Sequence, residues 1–371
     1  MQNTGLETEF MTLHEFIKAA KMNLSPHIWD YLVGGTESET TLARNRAALD
    51  QIALRPRVLR DVSTITTSDT FLGKSVRLPV MLAPVGGLEQ FDPGGAVTVA
   101  EAAGRFGVPM MMSSVTQQAL GDVREKTSAP LIYQLYVRGD DAFVDEQGAY
   151  ARDNGCDAFA ITVDTQKYSR RERDIAKRFQ KPWRAATNGT DAGAFQARFS
   201  WKDVARFKSR FDMPLILKGI GTPEDAEIAV EHGVDYIYCS NHGGRQLDHG
   251  RGSADVVVDI LSAVGDKAGV ILDGSVSRGT DVVKARALGA VSAGIGRLYC
   301  YALAARGADG IVRLLQILED EIEIALGLVG VSEFGALEQS YLHFGAPMVT
   351  QPHVHSAFPL LDLNDPGYGG R

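Results

Sequence analysis

Hydrophobic and polar positions alternate along the chain as short apolar runs followed by longer amphipathic segments. Each run is rich in β-branched residues, ends in a turn containing Gly, Ser or Asp, and precedes a segment of helical period. The pattern occurs eight times, and it predicts strands at 79–83, 108–112, 131–136, 158–163, 214–218, 236–240, 269–273 and 291–295. Eight such units predict an α/β fold whose parallel strands close into a (β/α)8 TIM barrel.

Helix-capping residues support this division into units. Thr222 precedes Pro223 and two acidic residues, which predicts the start of a helix after strand five. Thr280 is predicted to cap a helix between strands seven and eight, which Gly289 ends. The apolar face of residues 306–330 predicts the eighth barrel helix.

The chain is predicted to form a single domain with additions to the barrel. Its parts are an N-terminal helical cap (1–75), the TIM barrel (76–330), and a C-terminal segment and tail (331–371). Within the cap, residues 12–52 have helical patterns interrupted at Gly34-Gly35. Residues 165–200 break the alternation after strand four, so we expect an active-site lid there, with a disordered loop as the alternative.

Composition narrows the possible partners and location. The net charge of −8, from 38 Lys and Arg against 46 Asp and Glu, does not favour nucleic acid or an anionic membrane surface. No apolar run is long enough to predict a membrane span, and the N-terminus lacks the pattern of a signal peptide. The three cysteines have no metal-ligand spacing, and His353 and His355 are interpreted as surface residues, so we expect no metal and a cytoplasmic location.

Candidate chemistry lies where the strands end, because TIM-barrel active sites are built at the carboxyl ends of the strands. All eight predicted strands end in polar or glycine-rich residues. The glycine-containing turns after strands seven and eight, at 273–275 and 294–297, are expected to bind a phosphate with Arg297. His242 and Arg245 follow strand six, and they suit a hydroxy acid because Arg would bind its carboxylate while His takes the hydroxyl proton.

These motifs resemble those of the FMN-dependent α-hydroxy acid oxidase and dehydrogenase family, which includes glycolate oxidase, lactate oxidase, lactate monooxygenase and mandelate dehydrogenase. The motifs are SNHGGRQLD (240–248), LILKGI (215–220), QLY (134–136), TVDT (162–165) with RRERD (170–174), and DGSVSRGTD (273–281). The resemblance spans about residues 12–340 in the same order. It implies FMN as cofactor, oxidation of a small (S)-2-hydroxy acid to the 2-oxo acid, reoxidation by O2 or another acceptor such as a quinone, and a homotetramer.

The resemblance also implies a role for individual residues. The residues implied in catalysis and substrate binding are His242 as base, Asp164 as its partner, Arg245 and Arg171 as carboxylate ligands, Tyr31 and Tyr136 as substrate contacts, and Lys218 beside the flavin. The other implied cofactor contacts are Pro84, Val85, Gly86, Ser113, Gln134, Thr162, Ser240, Asp273, Gly274, Ser275, Gly296 and Arg297. Lys218 would stabilise negative charge on the reduced cofactor.

Three positions depart from the family pattern. Ser277 stands where the family usually has an arginine, and Arg278 is expected to substitute only in part, which predicts weaker FMN retention. Gly86 stands where an alanine is common, and Val115 replaces a large pocket residue, which predicts more room for a substrate side chain. The sequence leaves open a carrier-linked dehydrogenase acting on an aromatic or larger 2-hydroxy acid.

Two other function classes are weighed against this hypothesis. One is a different FMN barrel enzyme, such as an isomerase or a nucleotide dehydrogenase, which would retain the phosphate site but lack the pair His242 and Arg245. The other is a non-catalytic scaffold, for which only Ser277 argues. Substitution of His242 separates the classes, because turnover should be lost while the flavin stays bound.

Overall fold

Eight parallel strands form a closed barrel in the computed structural model, which describes residues 5–179, 192–345 and 357–358. The barrel strands are β1 (Val80–Leu82), β2 (Met110–Ser113), β3 (Leu131–Leu135), β4 (Ala158–Thr162), β5 (Leu215–Ile220), β6 (Tyr236–Cys239), β7 (Gly269–Leu272) and β8 (Ser292–Ile295). Strand β8 pairs with β1 in parallel register, Ala293 opposite Val80, and this pairing closes the barrel. The predicted TIM barrel is confirmed.

Each barrel strand is followed by a helix. These helices are α1 (Gly95–Phe106), α2 (Leu120–Glu125), α3 (Asp141–Asp153), α4 (Trp201–Arg210), α5 (Pro223–Glu231), α6 (Ser253–Val264), α7 (Gly279–Leu288) and α8 (Arg297–Val329). In the part of the chain described before the barrel, there are four helices, at Gly5–Glu9, Leu13–Asn23, Pro26–Val33 and Thr40–Asp50. The short helices Glu172–Ala176 and Ala192–Arg198 lie in the β4–α4 connection. Short strand pairs join Ala53–Leu54 to Leu342–His343 and Asp69–Phe71 to Lys74–Val76.

The predicted helix boundaries are partly correct. The Thr222 side chain accepts a hydrogen bond from the Asp225 amide, as an N-cap residue does. Thr280 is not a cap, because the N-cap of α7 is Arg278 and the helix begins at Gly279. Helix α8 consists of two helical stretches, because Arg306 and Gly307 have non-helical backbone angles. The second stretch, which ends at Val329, is the helix predicted from residue 306, and the first begins at Arg297.

The barrel interior and the helix-facing layer form two apolar clusters. Side chains that point inward, including Met111, Ile216 and Tyr238, form the inner cluster. Phe71 and Val76, from the strand pair Asp69–Phe71 and Lys74–Val76, extend this cluster. Alternate strand residues face the helices because successive side chains in a strand point to opposite sides. The three methionines of β2 are therefore core residues.

Parts of the sequence-based predictions fall outside the described residues. These are residues 180–191 of the predicted lid, most of the C-terminal tail, and both His353 and His355. Among the helices that are described, none is long and apolar enough to cross a membrane. Within the same residues there is no group of three or more potential metal ligands. The division into cap, barrel and tail stays a prediction.

Candidate active site

A cavity of about 420 Å³ opens at the carboxyl ends of the barrel strands. It contains most of the residues that the sequence predicts for the site. Those that line it are Tyr31, Pro84, Val85, Gly86, Tyr136, Arg171, Lys218, His242, Arg245, Asp273, Gly274, Ser275, Gly296 and Arg297. The other five, Ser113, Gln134, Thr162, Asp164 and Ser240, do not line the cavity but are all largely buried. The predicted residues from the carboxyl ends of different strands therefore lie around one common site, as in other TIM barrels.

His242 is held between a carboxylate and a phenol. Its Nδ1 lies 3.0 Å from Asp164 Oδ1, and its Nε2 lies 3.3 Å from the Tyr136 hydroxyl. The His242 backbone has φ of 60°, which is uncommon for a residue other than glycine, and its amide donates to Ser240 Oγ. This backbone conformation and these contacts fix the direction in which Nε2 points.

Burial determines the charge of the histidine. It lowers the pKa of His242 to about 4, although the Asp164 carboxylate opposes the shift. Burial alone would raise the pKa of Asp164, but the positive charges of His242 and Lys218 outweigh it and lower that pKa. Near neutral pH the pair is therefore an ionised carboxylate beside a neutral imidazole, which can accept a proton.

Two arginines beside the histidine, one buried (Arg171) and one partly buried (Arg245), have partners other than carboxylates. Arg245 donates from Nη1 to the backbone oxygens of Tyr31 at 2.5 Å and Gly34 at 3.1 Å, and it lies over the Tyr31 ring. Arg171 lies over the Tyr168 ring, and its Nε makes no hydrogen bond within the described residues. Burial, followed by repulsion from Arg171, lowers the pKa of Arg245 to about 10. Such a site gains stability from an anionic ligand.

Several buried polar atoms near the carboxyl ends of the strands have no hydrogen-bond partner among the described residues. The side-chain oxygen and nitrogen of Gln134 make no hydrogen bond within the described part of the chain. The same is true of Thr162 Oγ1 and Asp273 Oδ1. Buried polar groups are nearly always paired in native proteins, so these atoms indicate a ligand with several polar groups. Lys218 donates to Ser240 Oγ at 3.2 Å and brings a buried positive charge to the same place.

The turns after β7 and β8 have the backbone geometry of an anion site. Gly274 and Ser275 both have positive φ, 105° and 64°, and Gly296 caps the amino end of α8. A helix N-terminus and successive backbone amides favour a phosphate. Arg297 donates from Nε to the Leu32 oxygen at 3.0 Å and from Nη2 to the Gly34 oxygen at 2.8 Å.

A buried ion pair that sequence reasoning missed supports the β7 turn. Arg46 of the helix Thr40–Asp50 contacts both carboxylate oxygens of Asp281 at 2.8 Å and donates to the Ser275 oxygen at 2.9 Å. Asp281 also accepts from the Ser277 amide. The pair stabilises the turn in the conformation where Ser275 has positive φ. The one hint of this ion pair in the sequence is Arg46 itself, a charged residue at an inward position of an N-terminal helix.

An amide pair that the sequence analysis also missed supports the β6 turn. Asn45 and Asn241 exchange hydrogen bonds of 2.8 and 2.7 Å, and Asn241 Oδ1 also accepts from the Gly244 amide. Gln246 donates to the Asp164 backbone oxygen. Asn241 and Gln246 belong to the SNHGGRQLD motif, which could have identified them, but Asn45 has no such signal.

The surroundings of Ser277 correct one prediction. Arg278 does not substitute for an arginine at 277, because it pairs with Glu321 of α8 and donates to the Ala357 oxygen. Ser277 lines the cavity, where its hydroxyl donates to the Ser275 oxygen. Phe358 of the tail also lines the cavity and is 3% exposed, so the tail contributes to a wall of the site.

The wall around Gly86 is made of aliphatic and aromatic groups. A Cβ atom at Gly86 would lie 3.3 Å from Val115 Cβ, and the Gly86 oxygen accepts from the Tyr31 hydroxyl at 3.0 Å. The Tyr31 ring stacks with Phe91, their centroids 6.2 Å apart. Gly86 and Val115 are therefore neighbours, as expected if both enlarge one region of the pocket.

Comparison with known proteins agrees with this geometry. The family model described as FMN-dependent dehydrogenase matches residues 20–344. An L-lactate dehydrogenase of Caulobacter sp. (strain K31) is 38% identical over 368 residues, covering 88% of this chain and 97% of the relative. Glycolate oxidase of Spinacia oleracea is 35% identical over 353 residues, covering 90% and 96%. A mandelate oxidase variant with a C4a-OH-FMN adduct superposes with TM-score 0.83 at 35% identity, covering 90% of this chain and 99% of that one.

Proposed function

The chain belongs to the FMN-dependent dehydrogenase family, and from this premise we propose that it oxidises a (S)-2-hydroxy acid to the 2-oxo acid with His242 as base. The resemblance, the FMN cofactor and the enzyme class expected from the sequence are confirmed. Our proposal concerns three further points: the roles of individual residues, the side chain of the substrate and the electron acceptor. The observation that carries the mechanism is a neutral His242 between Asp164 and Tyr136, beside two arginines without carboxylate partners in the described chain.

The unpartnered buried atoms fit FMN. Gln134 and Thr162 would hydrogen-bond the flavin ring, and Asp273 the ribityl chain. The phosphate would lie at Gly274, Ser275 and the N-terminus of α8. Bound FMN would supply the acceptor for the hydride, the α-hydrogen with its two electrons, while the hydroxyl proton goes to His242. Lys218 would provide a fixed positive charge close to the ring.

Arg245 and Arg171 would bind the substrate carboxylate. Arg171 is buried and Arg245 partly buried, and they are close enough for Arg171 to lower the pKa of Arg245, so a carboxylate relieves a real repulsion. The Tyr31 ring keeps Arg245 in place from one side, with 4.7 Å between the guanidinium carbon and the ring centroid. Binding at two guanidinium groups would direct the hydroxyl-bearing carbon towards His242.

His242 would take the hydroxyl proton at Nε2. The imidazole is neutral because burial lowers its pKa, and the Asp164 carboxylate at Nδ1 would stabilise the imidazolium that forms. Tyr136 lies at the same Nε2 atom, and burial raises its pKa, so it stays a neutral donor towards the substrate oxygen. The chain thus supplies a base, a partner that stabilises its charge, and a donor.

The wall at Gly86 and Val115 supports a substrate with a side chain larger than a methyl group. Phe91 and Tyr31 provide aromatic surface next to this region. The relatives include enzymes named for lactate, glycolate and mandelate, so the family accommodates side chains of this range. We therefore place aromatic and larger aliphatic 2-hydroxy acids ahead of glycolate.

The experiment is anaerobic mixing of the FMN-loaded protein with glycolate, lactate, 2-hydroxyoctanoate and (S)-mandelate, while the visible flavin absorbance is followed. Rapid bleaching by a large acid supports the proposal, and the rate of recovery in air separates an oxidase from a carrier-linked dehydrogenase. The variant His242→Asn should keep its flavin but bleach far more slowly. If no acid bleaches the wild-type flavin, the barrel performs a different FMN reaction. The homotetramer, the cytoplasmic location and the lid stay predictions.

A further inference from the structure

A tyrosine at the mouth of the cavity lies against one of the two arginines assigned to the substrate carboxylate. Tyr168, in the connection between β4 and α4, lines the cavity and is 42% exposed. The guanidinium carbon of Arg171 lies 4.7 Å from the centroid of the Tyr168 ring. Arg245 makes the same kind of contact with the Tyr31 ring, also at 4.7 Å. Each of the two arginines therefore has a tyrosine ring on one face.

The backbone around Tyr168 is held in place by distant parts of the chain. Gln246, in the turn after β6, donates to the carbonyl oxygen of the residue before Tyr168 at 3.1 Å. The hydroxyl of the residue after it, Ser169, donates to the Arg245 backbone oxygen at 2.5 Å. The Glu37 amide donates to the carbonyl oxygen two residues after Tyr168, at 2.9 Å. The backbone that carries the ring is therefore fixed, and it is tied directly to Arg245.

The Tyr168 side chain also lies near the second arginine. Burial raises the pKa of Tyr31 above its usual value, and the nearby Tyr168 adds to the rise. Burial lowers the pKa of Arg245 to about 10, and Tyr168 opposes this shift. Charged groups affect one another's pKa in this way at short range. The side chain of Tyr168 therefore extends from Arg171 towards the pair Arg245 and Tyr31.

Arg171 needs a contact that keeps it beside Arg245 before a substrate arrives. The two guanidinium groups repel each other, which contributes to the low pKa of Arg245 after the larger effect of burial. Arg171 Nε makes no hydrogen bond within the described residues. An arginine side chain has many rotamers, and a cation over an aromatic face gains electrostatic attraction. The Tyr168 ring therefore favours the rotamer in which Arg171 stays next to Arg245.

We propose that Tyr168 is a positioning residue, whose ring holds the Arg171 guanidinium beside Arg245 so that both are in place for the carboxylate of an incoming substrate. The inference rests on the carboxylate site of the proposed function. Without the ring, the Arg171 side chain would have to be ordered when the carboxylate binds, and this cost would weaken binding. The ring of Tyr168, rather than its hydroxyl, should therefore contribute to affinity, and only for anionic ligands.

The test is isothermal titration calorimetry of the FMN-loaded, full-length protein with phenylacetate and its neutral counterpart phenylacetamide, neither of which has a hydroxyl group to oxidise. In Tyr168→Leu, the dissociation constant of phenylacetate should rise about 2- to 12-fold, the cost of ordering one long side chain, whereas that of phenylacetamide should change by less than about twofold. Tyr168→Phe keeps the ring and should bind both ligands as the wild type does. The matched control is Tyr341→Leu, which removes a ring 4.3 Å from the Arg57 guanidinium and outside the cavity, and should leave both constants unchanged.

Equal weakening of the acid and the amide in Tyr168→Leu would overturn the proposal, since the ring would then act through general packing. Unchanged binding of phenylacetate to Tyr168→Leu would overturn it as well, and so would an equal loss in Tyr168→Phe, because the hydroxyl would then be responsible. In an Arg171→Met background, Tyr168→Leu should have no further effect on phenylacetate, because the side chain that the ring positions is absent. If phenylacetate did not bind the wild type, or bound Arg245→Met equally well, the carboxylate site itself would fail and the inference with it.

Discussion

Replacing Asp164 by asparagine tests whether the carboxylate stabilises a proton on His242. The substitution keeps the shape of the side chain but removes the charge 3.0 Å from His242 Nδ1. A hydrogen bond to a charged group contributes about 1.5–3 kcal/mol, so we expect kcat/KM to fall about 10- to 150-fold. Flavin content should not change, because the Asp164 side chain is hydrogen-bonded to His242, which is assigned to the substrate rather than to the flavin.

The pH profile provides the sharper readout. His242 acts as a base only when neutral, so the wild-type kcat/KM should fall as the pH drops through about 4, the pKa of His242. The Asp164 charge raises the pKa of His242 against the effect of burial. In Asp164→Asn this pKa is lower, so the acid limb should move to lower pH while the plateau falls. Stopped-flow reduction of the flavin at saturating and limiting substrate measures both.

Asp235→Asn is the matched control for loss of a carboxylate. Asp235 accepts hydrogen bonds from Lys208 and the Leu215 amide at the opposite end of the barrel, so its loss should change stability but not the pH limb. A plateau within threefold of wild type and an unmoved limb in Asp164→Asn would refute the role given to Asp164, at roughly 0.7 kcal/mol or less.

Four further outcomes are expected. Arg46→Met leaves the buried carboxylate of Asp281 without its partner, and the free energy of unfolding in urea should fall by about 3–5 kcal/mol. Ser277→Arg adds a cation to the cavity wall, so the dissociation constant of FMN should fall about tenfold or more, measured by flavin fluorescence. Burial lowers the pKa of His14 to about 4, so the unfolded chain binds this proton more readily than the folded chain does. The free energy of unfolding should therefore decrease as the pH falls below about 6.5, the pKa of a histidine in an unfolded chain. In His14→Leu, the decrease in the free energy of unfolding between pH 7 and pH 5 should be smaller by about 2 kcal/mol. Val115→Trp should reduce kcat/KM for mandelate relative to glycolate by about tenfold or more, and equal losses for both acids would contradict the pocket assignment.

The barrel could be predicted from the sequence because each strand carries its own local signal. A run of β-branched residues between a turn and an amphipathic segment needs no distant partner to be recognised. The same locality explains why His242, Arg245 and Asp164 could be found, since polar residues directly follow predicted strands. The order of the motifs along the chain then indicated the family without any structural information.

Other features depend on residues far apart in the chain and could not be predicted. The amide pair of Asn45 and Asn241 joins positions 196 residues apart, and each asparagine alone looks like an ordinary polar residue. In the sequence, Tyr238 looks like any other residue of a barrel strand. Only the structure shows that its hydroxyl lies against Gly294 of β8. The Thr280 cap was wrong because the amide of Arg278, two residues earlier, donates to the Asp281 carboxylate and caps α7 there.

The helix Pro26–Val33 has a consequence for the order in which the enzyme is assembled. The carbonyl oxygens at its end receive Arg245 and Arg297, which follow more than 200 residues later in synthesis. The helix therefore leaves the ribosome long before the two arginines whose guanidinium groups it positions. Contacts of such long sequence separation slow folding, because the entropy of closing the intervening chain opposes them. The nascent chain therefore cannot complete this site until synthesis has passed Arg297, at the start of α8.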